Sequence, residues 1–288
     1  MNVPGTGDNP LMDISQEQFE RQGYAVLEKA VPAGRLASIR AAALRIVDEF
    51  DAERHRTVFT TRNQDHAQDR YFLESAEAVH CFLEEGAVDA NGRLLRPRQE
   101  AVNKIGHALH DLVPEFTDFC RQPLVRDVLC AVGYDAAALW QTMYIFKQPG
   151  IGGEVRWHQD ATYLHTQPSS VVGLWVAVED ASRENGCLWV QPGGHRSPLR
   201  EIYEVDHQAG GAELRALNPT PWPKAGEAVA LEVPAGSLVV FSDHLPHYSS
   251  QNRSSRSRHA FAMHFAPPEA RWSEKNWLRR ARLQPFLL

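Results

Sequence analysis

From residue 139 to residue 266 the chain consists of short apolar segments separated by turns rich in glycine and proline. Segments of this length, enriched in Val, Leu, Phe and Trp and bounded by such turns, are typical of strands. The predicted strands are LWQTMYIFKQ (139–148), SSVVGLWVAVED (169–180), GCLWVQPG (186–193), AVALEV (228–233), SLVVFSD (237–243) and RHAFAMHFA (258–266). Many short strands in succession predict an antiparallel sandwich or barrel at the centre of the domain.

The first half of the chain has mainly helical patterns. Ser15 followed by Gln18 forms a capping-box pattern at the start of a predicted helix. A short apolar stretch, YAVLEKAV (24–31), predicts a strand, and apolar residues then recur at helical spacing across 35–50. The polar residues 51–72 have no periodicity and predict a long loop. Together the two halves indicate an α+β fold whose β core is flanked by helices, mostly from the N-terminal half.

Length and charge narrow the classes of protein that this chain can belong to. A chain of 288 residues with 43% hydrophobic residues can bury one large core. We therefore expect a single domain over 13–288 after a disordered tail at 1–12. The net charge of −6 provides no basic field for a nucleic acid, and no apolar run is long enough to span a membrane. We expect a small-molecule substrate and no obligatory protein partner.

The four cysteines are scattered along the chain and form no CxxC pair; they are Cys81, Cys120, Cys130 and Cys187. This pattern is typical of reduced cysteines in a protein core, and it predicts a cytoplasmic location rather than a disulfide framework or a zinc knuckle. His107 and His110 lie three residues apart and share one face if their segment is helical. We expect them to be hydrogen-bonded packing residues rather than ligands of a second metal.

The triplet His158-Gln159-Asp160 contains the strongest candidate metal ligands. Residues two apart in a strand point to the same side, so His158 and Asp160 can bind one ion. A ferrous oxygenase site needs a second imidazole and open coordination positions. The C-terminal histidines available for this role are His244, His247, His259 and His264. The alternation of side chains in the last predicted strand accounts for His259 and His264. His244 or His247, which precede that strand, therefore remains as the candidate third ligand.

The last predicted strand, which contains RHAFAMHF (258–265), has two different faces. One face carries Arg258, two alanines and His264, and small residues of this kind can line a cavity. The opposite face is mostly bulky and apolar, as expected of a surface packed under helices. The planar guanidinium of Arg258 is well matched to a carboxylate, which it can bind through two parallel hydrogen bonds. The strand therefore predicts a cavity that contains a carboxylate-binding arginine.

These motifs resemble those of the phytanoyl-CoA dioxygenase family of iron(II)/2-oxoglutarate oxygenases. The shared pattern is His158-x-Asp160, His247, Asn252, Ser254 and Arg258. The likeness to an animal member of similar length extends through NKIGHALH (103–110), MYIFKQP (143–149), GGEV (152–155), HQDA (158–161), ENGCLW (184–189) and NW (276–277). It covers nearly the whole chain from about residue 18. The resemblance implies a double-stranded β-helix, or jelly-roll, core flanked by helices.

Carried over residue by residue, the resemblance implies that His158, Asp160 and His247 bind Fe(II). It also implies that 2-oxoglutarate is bound by Lys104, Met143, Gln159, Trp175, Ser257 and Arg258. Such an enzyme would use O2 to hydroxylate a small organic substrate and would release succinate and CO2, and ascorbate is expected to support the reaction in vitro. The metal and the cosubstrate supply the reactive chemistry, whereas the protein supplies geometry and a dry pocket.

Two other functions could use the same residues. A zinc-dependent hydrolase can hold its metal with the same three ligands, but hydrolysis does not require Arg258 in a closed pocket. A non-catalytic jelly-roll protein is allowed by the fold alone, but it requires neither the ligands nor the arginine.

Substrate selectivity is expected to reside in the loops around the metal motif, namely 51–75, 161–170 and 197–225. Three residues that flank the motif are candidate substrate contacts, namely Arg156, Tyr163 and His165.

Overall fold

The computed structural model describes residues 14–59 and 70–288. The tail predicted at 1–12 lies outside the described residues, and so does the middle of the loop predicted at 51–72. In the described part of the chain, no helix has the length and the apolar character needed to cross a membrane.

The helices lie mainly in the first half of the chain, as predicted. In the described residues they are α1 (Gln16–Gln22), α2 (Ala33–Glu49), α3 (Arg70–Glu74), α4 (Arg98–Ala101), α5 (Leu109–Leu112), α6 (Pro114–Cys120) and α7 (Pro123–Ala131). The predicted cap is present at the start of α1, because the Ser15 hydroxyl accepts a hydrogen bond from the Gln18 backbone N–H at 3.1 Å. The helix ends at Gly23, whose φ of 79° is in the left-handed region.

The strands occur along most of the described chain. They are β1 (Tyr24–Leu27), β2 (Val79–Leu83), β3 (Val102–His107), β4 (Ala138–Ile145), β5 (Val155–His158), β6 (Thr166–Gln167), β7 (Val172–Ala177), β8 (Leu188–Val190), β9 (Glu201–Val205), β10 (Ala212–Ala216), β11 (Val229–Leu231), β12 (Leu238–Ser242), β13 (His247–Ser249), β14 (Ala260–Ala266), β15 (Arg271–Trp272) and β16 (Phe286–Leu287). Each of the six segments predicted from residue 139 onward contains a strand, namely β4, β7, β8, β11, β12 and β14.

Two antiparallel sheets form the jelly-roll core. The larger sheet has the order β1-β12-β7-β14-β4-β3-β2, with β16 also paired to β4, and the smaller sheet has the order β11-β8-β13-β5. Two further pairs are β9 with β10 and β6 with β15. Neighbouring strands are mostly distant in sequence, so the strands that carry the metal motif meet only when the fold is complete. The prediction of a jelly-roll core flanked by helices is confirmed.

The description of the first half as mainly helical was incomplete. The strands β2 and β3 belong to this half and extend the larger sheet beyond β4. Short apolar runs such as VHCFL (79–83) fit a strand and a buried helix equally well, so periodicity alone does not identify them. As a result, His107 ends a strand and His110 lies in a short helix, and the two do not share a helical face.

The two faces of β14 differ as the sequence indicates. The ring of Phe261 packs against Phe116 and Phe119 of α6 with centroid separations of 5.0 and 5.4 Å. The sulfur atoms of Met263 and Cys120 lie 3.8 Å apart in the same layer. Full burial of a Phe or Met side chain contributes roughly 1.5–3 kcal/mol, so this layer fixes the sheet under the helices. The opposite face of β14 is thereby directed at the interior between the two sheets.

Two smaller predictions can be compared with the structure. All four cysteines are free, but only three of them are buried, and Cys130 is exposed at the end of α7. His107 and His110 are hydrogen-bonded packing residues, as expected. The Nδ1 atom of His107 lies 2.8 Å from the Ser75 hydroxyl, and that of His110 lies 3.0 Å from the Thr142 hydroxyl.

Candidate active site

Three side chains converge between the two sheets. His158 is the last residue of β5, His247 is the first residue of β13, and the two lie directly opposite each other in the antiparallel pair. Their ring centroids are 4.0 Å apart. Asp160 begins the short 3-10 turn that follows β5. One ligand atom from each of these residues lies within 4.8 Å of the other two, and no other group of three potential ligands in the described chain meets this distance.

Backbone carbonyls orient both imidazoles. The Nδ1 atoms of His158 and His247 lie 2.9 Å from the carbonyl oxygens of Arg156 and Leu245, respectively. Each Nδ1 therefore carries the proton, and each Nε2 presents a lone pair to the cluster. The two Nε2 atoms lie 3.7 and 3.6 Å from Oδ1 of Asp160. Burial lowers the pKa of His158 to about 3, so this imidazole is neutral and able to bind a metal.

His264, which itself contacts Gln141, forms a hydrogen bond with the carboxylate of Asp160. Its other oxygen, Oδ2, lies 3.0 Å from Nε2 of His264, and Nδ1 of His264 lies 3.1 Å from the Gln141 amide nitrogen. Burial alone would raise the pKa of Asp160, but the surrounding histidines, His264 first, hold it well below its usual range. The carboxylate is therefore ionised, with Oδ1 directed at the two imidazoles. Two neutral imidazoles and one carboxylate with open positions form the ligand set of a ferrous oxygenase.

The cluster lies in the wall of a cavity of about 240 Å³. Aromatic residues form much of its lining, namely Phe59, Phe72, Phe146, Tyr163, Trp175, Tyr203, Phe241, Tyr248 and Trp277. All three loops predicted to govern selectivity contribute to this lining. The loop 51–75 contributes Phe59 and Phe72, the loop 161–170 contributes Tyr163, and the loop 197–225 contributes Tyr203. Of the candidate substrate contacts, Arg156 and Tyr163 line the cavity, whereas His165 does not.

Arg258 is a buried cation without a carboxylate partner in the described part of the chain. Its side chain is 2% exposed, and Nη2 donates to the Ser249 hydroxyl at 3.3 Å. Among the described residues, Nε and Nη1 have no hydrogen-bond partner. Burial lowers the pKa of Arg258 to about 10, so the guanidinium remains charged at neutral pH. A buried, charged guanidinium with two open donors fits a carboxylate ligand.

The other predicted wall residues that lie in the cavity are Lys104, Met143 and Trp175. The guanidinium carbon of Arg258 lies 5.4 Å from the Trp175 ring centroid. Lys104 Nζ lies 3.5 Å from the centroid of the Phe59 ring and 3.9 Å from the sulfur of Met143. Burial lowers the pKa of Lys104 to about 7. The cavity therefore places a second basic group, which burial leaves only partly protonated at neutral pH, among aromatic rings.

Two predicted 2-oxoglutarate contacts have side chains that do not line this cavity. The amide of Gln159 donates to the His244 carbonyl at 2.9 Å, and its oxygen accepts from the Arg200 backbone N–H at 3.1 Å. The hydroxyl of Ser257 donates to Glu179 at 2.8 Å. Contact between these two side chains and the cosubstrate remains a prediction, which a structure with bound 2-oxoglutarate would test. His244, the alternative third ligand, lies outside the metal cluster.

Several polar residues of the cavity were not predicted as site residues from the sequence. They are Glu84, His107, Gln141, Lys147 and His264. The alternation of side chains in β4 and β14 could have predicted two of these residues. Gln141 shares a strand face with Met143, and His264 shares a strand face with Arg258. No sequence pattern indicated Glu84 or His107, because neither β2, which Glu84 follows, nor β3, which ends at His107, was recognised.

Comparisons with known proteins agree with this geometry. The family model described as phytanoyl-CoA dioxygenase (PhyH) matches residues 19–260. The phytanoyl-CoA dioxygenase of Arabidopsis thaliana is 39% identical over 267 residues, covering 92% of each chain. The phytanoyl-CoA dioxygenase domain-containing protein 1 of Mus musculus is 37% identical over 279 residues, covering 94% of this chain and 95% of the relative.

Solved structures share the fold at much lower identity. The non-heme alpha ketoglutarate dependent carbocyclase SnoK from nogalamycin biosynthesis superposes with a TM-score of 0.64 at 18% identity, over 93% of this chain and 89% of the other. EctD from S. alaskensis, solved with bound Fe, has a TM-score of 0.59 at 19% identity, over 97% and 85% of the two chains. With the family model matching most of its length, this chain belongs to the phytanoyl-CoA dioxygenase (PhyH) family.

Proposed function

We propose that the protein is an Fe(II)- and 2-oxoglutarate-dependent dioxygenase that hydroxylates a small organic substrate. The overall reaction would consume the substrate, 2-oxoglutarate and O2, and would yield the hydroxylated product, succinate and CO2. The observation that carries the proposal is the convergence of His158, Asp160 and His247 beside Arg258, a buried arginine without a carboxylate partner in the described chain. SnoK is described as alpha ketoglutarate dependent and EctD was solved with bound Fe, which supports these two cofactors.

The ligand set fits ferrous iron. His158 and His247 present their Nε2 atoms, and Asp160 presents one carboxylate oxygen, to the same point. Three protein ligands on one side leave open positions for a chelating cosubstrate and for oxygen. When bound there, iron would supply the activation of O2 coupled to the decarboxylation of 2-oxoglutarate.

The residues around the cluster have roles that follow from their contacts. Arg258 binds the distal carboxylate of 2-oxoglutarate with the donors that are open in the described structure. Trp175 and Met143 line the same cavity and exclude water, which strengthens the ion pair. Lys104 remains a proposed contact of the cosubstrate, because its buried ammonium has no carboxylate partner in the described chain.

The proposal is tested by succinate formation from 2-oxoglutarate in the presence of Fe(II), ascorbate and air. Turnover by the wild-type protein and its loss in Asp160→Ala and Arg258→Met are expected, because the first change removes a metal ligand and the second removes the carboxylate receptor. The matched control is Arg156→Met. Arg156 also lines the cavity, but its guanidinium is paired with Glu201 at 2.9 Å.

The same assay separates the alternatives. Zinc-dependent hydrolysis without oxygen consumption would contradict the proposal and would indicate a zinc-dependent hydrolase. Binding of Fe(II) and a ligand with no turnover of 2-oxoglutarate under any condition would indicate a non-catalytic jelly-roll protein instead of an enzyme. Localisation in the cytoplasm remains a prediction, which imaging of a tagged full-length chain would test.

A further inference from the structure

Lys147 lies directly opposite Arg258, just beyond the paired ends of β4 and β14. These strands run antiparallel with Ile145 opposite Ala260, and the pairing continues at Lys147 and Arg258. The backbone N–H of each donates to the carbonyl of the other, at 3.2 and 3.1 Å. Two residues that exchange both hydrogen bonds in this way have their side chains on the same face of the sheet. Both side chains line the cavity, so two basic groups enter it next to each other.

The end of the Lys147 side chain has the same neighbours as the guanidinium of Arg258. Its Cε atom lies over Gly186, where a Cβ would overlap it, and the φ of 86° at this position also favours glycine. The Gly186 carbonyl accepts a hydrogen bond from the Ser249 hydroxyl at 2.9 Å. That hydroxyl in turn accepts from Nη2 of Arg258 at 3.3 Å. A short chain of contacts therefore connects the two basic groups on one side of the cavity.

Lys147 has donors that the described protein does not use. Its side chain is 6% exposed, and a protonated lysine amine has three donors. Among the described residues Nζ forms one hydrogen bond, to the Gly153 carbonyl at 3.4 Å, and no ion pair. The carboxylate of Glu84, which lines the same cavity, is hydrogen-bonded to the Asn103 amide at 2.7 Å instead. Lys147 therefore resembles Arg258, because both are buried basic groups that lack a carboxylate partner in the described chain.

An anion bound between the two groups would satisfy both of them. Burial, and then the charge of Arg258, lower the pKa of Lys147 to about 7, against the opposite effect of Glu84 and Glu154. A carboxylate beside Nζ would remove this repulsion and favour the charged amine. One carboxylate has about four lone-pair positions, which is enough for donors from both side chains. The distal carboxylate of 2-oxoglutarate, already proposed to bind Arg258, is an anion of this kind.

We propose that Lys147 is a specificity-determining residue of the cosubstrate pocket and binds the distal carboxylate of 2-oxoglutarate together with Arg258. The inference rests on the proposed function, because it requires 2-oxoglutarate to be the ligand of Arg258. Lys104 occupies a different place, since it lies opposite Ile145 and its Nζ lies 3.5 Å from the centroid of the Phe59 ring. Lys147 is the lysine that is paired directly with Arg258.

This assignment makes the pocket selective for a 2-oxo acid with a charged end. In 2-oxopentanoate a methyl group replaces the distal carboxylate on the same five-carbon chain. Such a ligand leaves both Lys147 and Arg258 without an anion in a buried site, so its affinity is low. Binding of 2-oxoglutarate should also protonate Lys147 at pH 8, because the amine is mostly neutral in the free protein and charged beside a carboxylate.

The experiment titrates the Fe(II)-loaded protein with each 2-oxo acid by calorimetry under anaerobic conditions, which prevent turnover. Affinities are measured at pH 7. Proton uptake is measured at pH 8 from the heats in buffers that differ in ionisation enthalpy. Lys147→Met keeps the length of the side chain without its charge. It should weaken binding of 2-oxoglutarate about tenfold, leave that of 2-oxopentanoate within twofold, and lower the uptake by roughly one proton.

Two further variants separate a role in binding from a structural role. Lys147→Arg keeps the positive charge, so it should retain the preference for 2-oxoglutarate but lose the same proton uptake, because a guanidinium is already charged at pH 8. Arg156→Met is the matched control. It removes a charge from the same cavity, but this charge is paired with Glu201 at 2.9 Å, so both affinities and the uptake should be unchanged. If Lys147→Met does not fold, the proton uptake of Lys147→Arg decides.

Unchanged affinity of Lys147→Met for 2-oxoglutarate would overturn the inference, and so would equal weakening of both 2-oxo acids. Proton uptake that persists in Lys147→Arg would also overturn it. If 2-oxoglutarate does not bind the wild-type Fe(II) protein at all, the proposed function fails. If it binds wild type and Lys147→Met equally, only the inference about Lys147 fails.

Discussion

Asp160 and His264 are joined by a buried hydrogen bond of 3.0 Å between Oδ2 and Nε2, although the two residues are 104 positions apart in the chain. The bond occupies the carboxylate oxygen that does not face His158 and His247. It therefore favours binding of the metal through Oδ1 alone, which keeps coordination positions open. The amide nitrogen of Gln141 lies 3.1 Å from Nδ1 of His264, so three residues act together to orient one ligand.

His264→Phe is expected to weaken Fe(II) binding about 10- to 100-fold, because Oδ2 of Asp160 loses its partner and the carboxylate can rotate. The affinity is measured by competition with a chelator under anaerobic conditions. His259→Phe, at the start of the same strand and on its opposite face, is the control. Unchanged affinity in His264→Phe would show that Asp160 is oriented without this bond.

Arg258→Met is expected to raise the KM for 2-oxoglutarate at least tenfold, since a charged hydrogen bond contributes about 1.5–3 kcal/mol. The same variant should bind Fe(II) normally, because Arg258 is not a ligand. Steady-state kinetics over a range of 2-oxoglutarate concentrations provide the measurement. Arg156→Met should leave this KM within twofold. A common effect of both changes would indicate that cavity charge in general, rather than Arg258, selects the cosubstrate.

A bound metal is expected to raise the melting temperature, because an ion that binds only the folded state stabilises that state. Mn(II), a redox-stable substitute for Fe(II), should shift the transition of the wild-type protein by several degrees. It should not shift Asp160→Ala, and chelation should reverse the wild-type shift. An equal shift in Asp160→Ala would locate the stabilising ion elsewhere.

Lys147 makes stability depend on pH. Its side chain is 6% exposed, and burial lowers its pKa to about 7, while Arg258, Glu84 and Glu154 are the charged groups that also act on it. Between this value and about 10.5 the unfolded chain holds a proton that the folded chain has lost, so the folded state gains stability as pH rises. From pH 7 to pH 9 the unfolding free energy of Lys147→Met relative to wild type should fall by about 1–2 kcal/mol.

Urea denaturation at the two pH values provides this comparison. Lys275→Met is the control, because the Lys275 side chain is 66% exposed and its replacement should give the same difference from wild type at both pH values. A constant difference for Lys147→Met would mean that Lys147 remains protonated in the folded protein.

The sequence alone predicted those site residues whose positions depend on the alternation of side chains within a strand. His158 and Asp160, two apart, face the cluster, and the resemblance chose His247 over His244 correctly, as the metal cluster shows. The same alternation explains the positions of two other residues predicted to contact the cosubstrate. Gln159 lies between two ligands and Ser257 beside Arg258, so each points to the other side, toward Arg200 and Glu179, respectively. Proximity in sequence to a ligand does not place a side chain in the cavity.

Other parts of the site depend on contacts that no local pattern contains. His107 enters the cavity because β3 pairs with β4, and β3 was not recognised among short apolar segments. Its Nδ1 lies against the Ser75 hydroxyl, which is distant in sequence and has no motif of its own. The pairing of distant strands is decided by the packing of the whole core, so sequence periodicity alone could not predict this part of the cavity.

The most direct test of the site is a crystal structure of the protein with Mn(II) and 2-oxoglutarate, in which anomalous scattering locates the ion. The account predicts one strong anomalous peak bonded to Nε2 of His158, Oδ1 of Asp160 and Nε2 of His247, with the distal carboxylate of 2-oxoglutarate on Arg258. An ion bound elsewhere, or a dicarboxylate that does not contact Arg258, would contradict it.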